Sequence, residues 1–314
     1  MCTRIFWNDN DVAKTVSRCM DWAVSDEPEL WFVPRGTERS GRSVDSDSHT
    51  WVSTYSSIVT SMWGMGTVDG LNEKGLGAHA LYLDPDDVSF PEPDGRPSVA
   101  NALWVQYLLD NYATVAEAID DIDHIRITSP TFRGLELGIH IALEDATGDS
   151  AIIEPIGGEL VVHHGREFTV MANSPTLDKQ LENLANYRPF GGELPPPGDI
   201  TSLDRFVRSA YFLNYLPEPE NVEEAVAGVF QLIANVSVPY GAPYSTGDVY
   251  PTWWRAGADL TNRVYYFGST RSPNIFWITL DDLADTTEVV SLDPRELTLV
   301  GDQTAHLAPG TLAY

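Results

Sequence analysis

Apolar spacing along this chain switches from strand-like to helix-like and back again, and that order limits the architectures open to it. The first block is strand-rich, at residues 3–7, 18–24, 29–33, 51–65 and 78–83, with turns at 8–10, 34–36 and 70–77. Residues 36–50 are polar and read as a surface loop. Residues 84–97 carry four prolines and several Asp, and read as a loop lying over a site. Helical spacing follows at 99–109, where Ala100, Leu103, Trp104, Tyr107 and Leu108 share a face, and at 115–122. Strands return at 135–143, 151–155, 159–164 and 168–172, and helices at 177–187, 202–215 and 222–234. The chain closes on strands at 263–269, 274–279 and 288–292. Neither a 20–50-residue repeat nor a low-complexity linker divides it. The pattern predicts an α+β chain of two sheets interleaved with helical layers, as one domain over residues 1–314.

The 314 residues are 43% hydrophobic, ample for a core, which excludes a disordered or fibrous chain. Nineteen basic against 46 acidic residues leave a formal charge of −27. Such a field repels phosphate backbones, so nucleic acid and anionic membranes are not expected partners. Lys14, Lys74 and Lys179 are the only lysines. A lysine-poor acidic surface keeps its hydration in concentrated salt, so one expectation is a salt-loving source; an acidic protein of a GC-rich bacterium is the other. No apolar run approaches the ~20 residues of a membrane span, and no secretory leader is evident, so the expected location is the cytoplasm. Two cysteines, Cys2 and Cys19, do not make a disulfide framework.

The chain has no phosphate-cradling Gly loop with Lys, no His-Glu-x-x-His and no Cys-x-x-Cys. His163 and His164 are neighbours that a strand turns to opposite faces, so they cannot chelate one ion. Asn235-Val236-Ser237 fits a glycosylation pattern only by coincidence in a chain read as unexported. Cys2 is the unusual feature. Loss of the initiator Met would leave a thiol and a free α-amine on one residue. An α-amine has a pKa near 7.7–8.0, so it can take the thiol proton and return it to a leaving amine without histidine. Such a site also needs a partner for the amine, a cation beside the thiolate and donors for an oxyanion. Arg18 and Asp21 could supply the first two, although on a strand they face opposite ways unless the segment bends or ends between them. Asn173, at the end of an expected strand, could donate to an oxyanion, and Arg205 sits near a helix start. Taken singly, each has an ordinary explanation as an ion pair, turn residue or solvated charge.

Together these segments resemble one family. Met1-Cys2-Thr3-Arg4, Ser17-Arg18-Cys19-Met20-Asp21-Trp22, Gly70-Leu71-Asn72-Glu73-Lys74-Gly75-Leu76, Ala172-Asn173-Ser174-Pro175 and Asp204-Arg205-Phe206 are similar, in order and spacing, to motifs of the choloylglycine hydrolases. Penicillin V acylases and bile salt hydrolases belong to that family. The resemblance implies an N-terminal-nucleophile hydrolase fold, an αββα four-layer sandwich, with no cofactor or metal. It implies Cys2 as nucleophile, its α-amine as base, Asp21 holding the amine and Arg18 beside the sulfur. Asn173 and the Tyr82 N–H would form the oxyanion hole, and Arg205 matches a further active-site arginine. Tyr82 stands where bile salt hydrolases usually have Asn, and with Trp22 it resembles the Gram-negative-type penicillin V acylases. The implied substrate is a small N-acyl amide, with phenoxyacetyl or fatty acyl groups and acyl-homoserine lactones within reach. The implied assembly is a homo-oligomer, a tetramer, although the segment between Asn173 and Arg205 is shorter than in bile salt hydrolases. Three other readings stay open: bile salt hydrolysis, a catalytically silent binding protein that retains Met1, and a Cys–His protease built on Cys19.

Overall fold

Two antiparallel-rich sheets stack face to face, and helices cover the outer face of each. The computed structural model describes residues 2–43, 47–131 and 137–314. A seven-stranded sheet runs, edge to edge, Val170–Met171, Cys2–Trp7, Thr15–Asp21, Thr252–Asp259, Val264–Ser269, Phe276–Thr279 and Gly301–Asp302. A nine-stranded sheet runs Glu159–His164, Ser150–Ile156, Ile139–Glu144, Gly77–Tyr82, Gly66–Asn72, Ser57–Met62, Glu29–Val33, Val290–Leu292 and Ala308–Pro309. The layers follow from side-chain alternation. Cys2 and Phe6, Val16 and Met20, Trp254 and Ala256 face Leu30, Ile58, Leu71, Leu81 and Ala142 across the gap. The opposite parity, Ile5, Trp7 and Cys19, packs on the helix Val222–Val236. On the far side Val59, Ala78, Ile141 and Leu143 pack on Trp104, Val105 and Leu108 of the helix Trp104–Asn111. This is the αββα sandwich of N-terminal-nucleophile hydrolases.

Strands at 29–33 and 159–164 fall where the spacing puts them, and the others differ mostly at their ends. The polar stretch 36–50 is not all loop: Glu38–Ser40 pairs with Thr50–Val52. The run 51–65 divides because Trp63 and Gly64 take positive φ in a tight turn between Met62 and Gly66. The strand expected at 135–143 is Ile139–Glu144, and residues 135–136 lie outside the described residues. Residues 84–97 hold no strand or helix. The turn read at 70–77 is shorter, since the strand Gly66–Asn72 runs on to Asn72. There Asn72 Oδ1 accepts from the Lys74 and Leu76 N–H groups, and Nδ2 donates to the Leu109 and Tyr112 carbonyls. The Asn of Gly70–Leu76 therefore pins the turn to the outer helix.

The strand Thr252–Asp259, at the centre of the seven-stranded sheet, has no counterpart in the sequence reading. Its Ala-Gly-Ala interior lacks the β-branched signal. Packing explains the glycine. A Cβ on Gly257 would sit 2.7 Å from a ring carbon of Phe230 on the covering helix and 3.2 Å from the Val16 carbonyl. Gly257→Val should therefore lift that helix and lower stability by about 1–3 kcal/mol, seen as a fall in the urea midpoint; an unchanged midpoint would contradict this packing.

Candidate active site

Cys2 heads the first strand with its side chain in the inter-sheet gap, 2% exposed. Its Sγ lies 3.3 Å from Arg18 Nη2 and 3.5 Å from Met20 Sδ. Arg18 is fully buried, with Nη1 donating to the Val68 carbonyl at 3.2 Å and its guanidinium 4.7 Å from the centre of a Trp254 ring. Its Nε has no hydrogen-bond partner among the described residues. Burial alone would lower the Arg18 pKa, but the Cys2 and Asp69 charges outweigh it and raise the pKa above its ordinary value.

Asp21 ends the same strand as Arg18 and points to the opposite face, as alternation requires. Thr252 Oγ1 donates to Asp21 Oδ1 at 2.5 Å, and Arg205 Nη1 lies 3.5 Å from Oδ2. Cys2 meets both residues by different routes: its sulfur touches Arg18, and its main chain reaches Asp21 through Arg205. That arginine donates to the Cys2 carbonyl at 2.7 Å, to Thr3 Oγ1, and to Asn173 Oδ1 at 3.1 Å. The Asn173 Oδ1 also accepts from the Cys2 nitrogen. Met1 lies outside the described residues, and with Met1 in place that nitrogen is a peptide amide standing where a freed α-amine would be.

Asn173 Nδ2 donates to the Tyr82 carbonyl at 2.6 Å, leaving one amide hydrogen for another acceptor. In the neighbouring ladder Leu83 N donates to Gly138 O at 3.1 Å. Alternation then turns the Tyr82 N–H and C=O together away from the strand Ile139–Glu144 and toward Asn173. The Trp22 and Tyr82 rings meet edge to face with centroids 5.3 Å apart. Both line a narrow cavity of about 50 Å³ with Cys2, Met20, Met62 and Trp63. Burial, with Asp84 nearby, pushes the Tyr82 hydroxyl up to about 12.

The structure thus brings Cys2, Arg18, Asp21, Asn173, Arg205, Tyr82 and Trp22 to one end of the sandwich. Cys19 lies on the outer face, buried with Ile5, Val229 and Ile233, its Sγ turned away from the inter-sheet gap and 3.6 Å from Asp21 Oδ2. Burial and Asp21 push its thiol well up, which leaves it a poor nucleophile. His163 and His164 take separate partners, Glu154 and Asp149.

The residue reading missed a row of buried charges behind Arg18. Arg18 Nη1 lies 3.7 Å from Asp69 Oδ2, which is 2.6 Å from His79 Nδ1. His79 Nε2 contacts Glu144 Oε1, and Glu144 Oε2 accepts from Arg4 Nε at 2.9 Å. Tyr265 donates its hydroxyl to Asp69 Oδ1 at 2.5 Å. A bulge makes this reachable. Thr60 pairs with Asp69 but Ser61 with Thr67, so Val68 is extra and both Val68 and Asp69 enter the gap. The sequence signals were a lone Asp before Gly70 and a His at an inward position of an alternating strand.

A family model for linear amide C–N hydrolases, choloylglycine hydrolase family, matches residues 2–292. The chain belongs to that family. It is 36% identical to a penicillin V acylase of Pectobacterium atrosepticum, over 98% of this chain and 90% of that protein. It superposes on the penicillin V acylase of Agrobacterium tumefaciens with a TM-score of 0.89 at 38% identity, covering 99% and 98% of the two chains. A conjugated bile acid hydrolase of Clostridium perfringens shares the fold, with a TM-score of 0.79 at 21% identity over 95% and 98%. The choloylglycine hydrolase relatives cleave amide C–N bonds, and this chain is an enzyme of that class with its cysteine at the N-terminal end of the leading strand. Among the described residues no helix is long and apolar enough to cross a membrane.

The charge row carries a pH signature. Burial would lower the His79 pKa, but Glu144 and Asp69 outweigh it and raise it to about 9; burial would raise Glu144, but Arg4 and His79 pull it down to about 2. The His79 contribution to stability is complete below 6.5, the ordinary value, and is lost as pH rises through 9. The Glu144 contribution is complete above 4.5 and is lost as pH falls toward 2. Urea midpoints measured from pH 2 to 10 should plateau between these limits. The alkaline fall should vanish in His79→Gln; a fall of equal size in that variant would assign it elsewhere.

Proposed function

We propose that this chain is a penicillin V acylase-like cysteine amidohydrolase whose nucleophile is Cys2 after removal of Met1. The observation that carries the reading is the Cys2 sulfur held 3.3 Å from a buried guanidinium at the mouth of an apolar cavity. The freed amine takes the thiol proton, and Sγ attacks the substrate carbonyl. The tetrahedral oxyanion is held by the remaining Asn173 Nδ2 hydrogen and the Tyr82 N–H. Asp21 and Arg205 orient the amine and the Cys2 main chain, while Arg18 favours the thiolate. The amine then returns its proton to the leaving nitrogen, and water clears the thioester.

The cavity supports an apolar acyl group. Trp22 and Tyr82 offer aromatic faces beside the sulfur, worth about 0.5–1.5 kcal/mol to an aryl group beyond area burial. The walls Met62, Trp63, Val68 and Leu137 are shared with a second cavity of about 200 Å³ bounded by Met65, Ala102 and Pro130. An acyl tail that passes these shared walls would enter the second cavity, which supports fatty acyl amides, including acyl-homoserine lactones, alongside phenoxyacetyl amides. Bile salt hydrolysis is the weaker reading, because Tyr82 and Trp22 narrow the entrance that a steroid needs. The −27 charge supports a small-molecule substrate, not nucleic acid, and a salt-dependent fold. A homo-oligomer, a tetramer by family likeness, completes the proposal and is read by sedimentation.

A hydrolysis panel of penicillin V, penicillin G, glycocholate and acyl-homoserine lactones, at low and multimolar salt, tests this. Cys2→Ser should lower turnover about a thousandfold or more, whereas Cys19→Ser should not. An intact mass that retains Met1, with no turnover of any amide, would instead favour a silent binding protein.

Chain length offers a finer check. Each methylene buried beyond Trp63 contributes ~0.8 kcal/mol, so kcat/KM should climb about fourfold per carbon until the second cavity fills. Ala102→Trp should flatten that climb for the longest chains; a climb that survives would place the acyl tail elsewhere.

A further inference from the structure

Six buried groups alternate in charge along a row in the inter-sheet gap: Arg4, Glu144, His79, Asp69, Arg18 and Cys2. His79 sits between two carboxylates, 2.6 Å from Asp69 Oδ2 at Nδ1 and in contact with Glu144 Oε1 at Nε2. A carboxylate only accepts, so both ring nitrogens must donate, and only the imidazolium does that. The row then holds three cations and two anions, and a thiolate on Cys2 balances it. In a space closed to water such balance matters more than at a surface.

We infer that His79 is a positioning residue for amide hydrolysis, acting through Asp69 and Arg18 on the Cys2 sulfur. It touches neither substrate nor sulfur. By occupying Asp69 Oδ2 from behind, it limits how much of the Arg18 charge that carboxylate neutralises. Without the imidazolium, Asp69 keeps Arg18 and the Tyr265 hydroxyl, and the guanidinium has less charge to offer the thiolate. Arg18 Nε, which has no partner among the described residues, and the two sulfur contacts of Nη2 fit a guanidinium short of anions. Burial opposes charge on His79, and its two carboxylates override that.

The groups facing this centre come from every strand around it. Cys2 and Arg4 share the first strand, and Arg18 lies on the second. Asp69, His79 and Glu144 come from the facing sheet, and Tyr265 bonds Asp69 from the Arg18 side. Asp26 acts on Arg18 from the loop beneath Trp254. Cys19, Asp21 and Arg205 lie behind the sheet on its outer face.

The inference rests on Cys2 as nucleophile, and its test separates the two. Cys2 alkylation by iodoacetamide, followed by peptide mass mapping of the processed enzyme across pH 5–10, needs no substrate. His79→Gln should move the midpoint of the Cys2 profile up by about one pH unit, tenfold less thiolate below it. Below the midpoint kcat should fall about tenfold too, with KM little changed. Asp69→Asn, close to isosteric, should move the midpoint the other way, because it frees the Arg18 charge. A folded His79→Gln enzyme with an unmoved profile would overturn the inference, as would both variants shifting alike. If His79→Gln does not fold, Asp69→Asn decides: a downward shift supports the inference and no shift overturns it. Full activity in Cys2→Ser would instead defeat the nucleophile assignment, whatever the alkylation profiles show.

Discussion

A guanidinium with no solvent exposure, pressed against a sulfur atom, is the contact on which this site depends. Removing such a cation from water costs several kcal/mol, and nothing apolar can offset it. Arg18 is tolerated because its needs are met from four directions: Asp69, the Val68 carbonyl, the Trp254 ring and Cys2. They come from three strands, Val68 and Asp69 sharing the strand Gly66–Asn72. The sandwich therefore has to close in one register for the charge to be tolerated at all, and closing it sets the thiol beside the charge. The bulge at Val68 belongs to this requirement, since without the extra residue Asp69 and Val68 could not both face the gap.

The same gap has two characters. Toward Phe6, Ala142 and Ile152 it is a dry apolar core; through Arg4, Glu144, His79 and Asp69 it is a string of ions. Buried ion pairs rarely add net stability compared with well-packed hydrocarbon, and losing one partner strands the other. What the string supplies is direction, a fixed alternation that ends on the cysteine. The apolar residues around Met62 and Trp63 begin where the string ends, so under the proposed reading charge serves bond-making and shape serves the acyl group.

How much of this could be read from the residues varies with the physics involved. Most strands were legible, because alternation and apolar runs are local, whereas the αββα layer order came with the family resemblance. The motif positions gathered Cys2, Arg18, Asp21, Asn173, Arg205, Tyr82 and Trp22, although only the fold shows that Arg18 and Asp21 serve opposite sides of one residue. Thr252–Asp259 was invisible because its interior is small residues, of which Gly257 answers a helix pressed on it from the outer side, a tertiary demand. His79 and Asp69 were missed for a related reason. Nothing local separates a buried imidazolium from any His on an alternating strand; the separation comes from Glu144, 65 residues away.

Arg205 shows why the site resists assembly in parts. Its helix, Ser202–Leu213, lies on the outer face, yet its guanidinium binds the Cys2 carbonyl, Thr3, Asn173 and Asp21 at once. It is the fully buried counterpart of Arg18, working on the main chain from the opposite side of the sheet. One arginine addresses the sulfur and the other fixes the backbone that carries it. On the proposed reading the nucleophile starts its strand, and loss of Met1 would leave it no preceding residue to hold it. The restraint must then come from across the sheet, and Arg205 with Asn173 supplies it by hydrogen bonds that a frayed end could not make for itself.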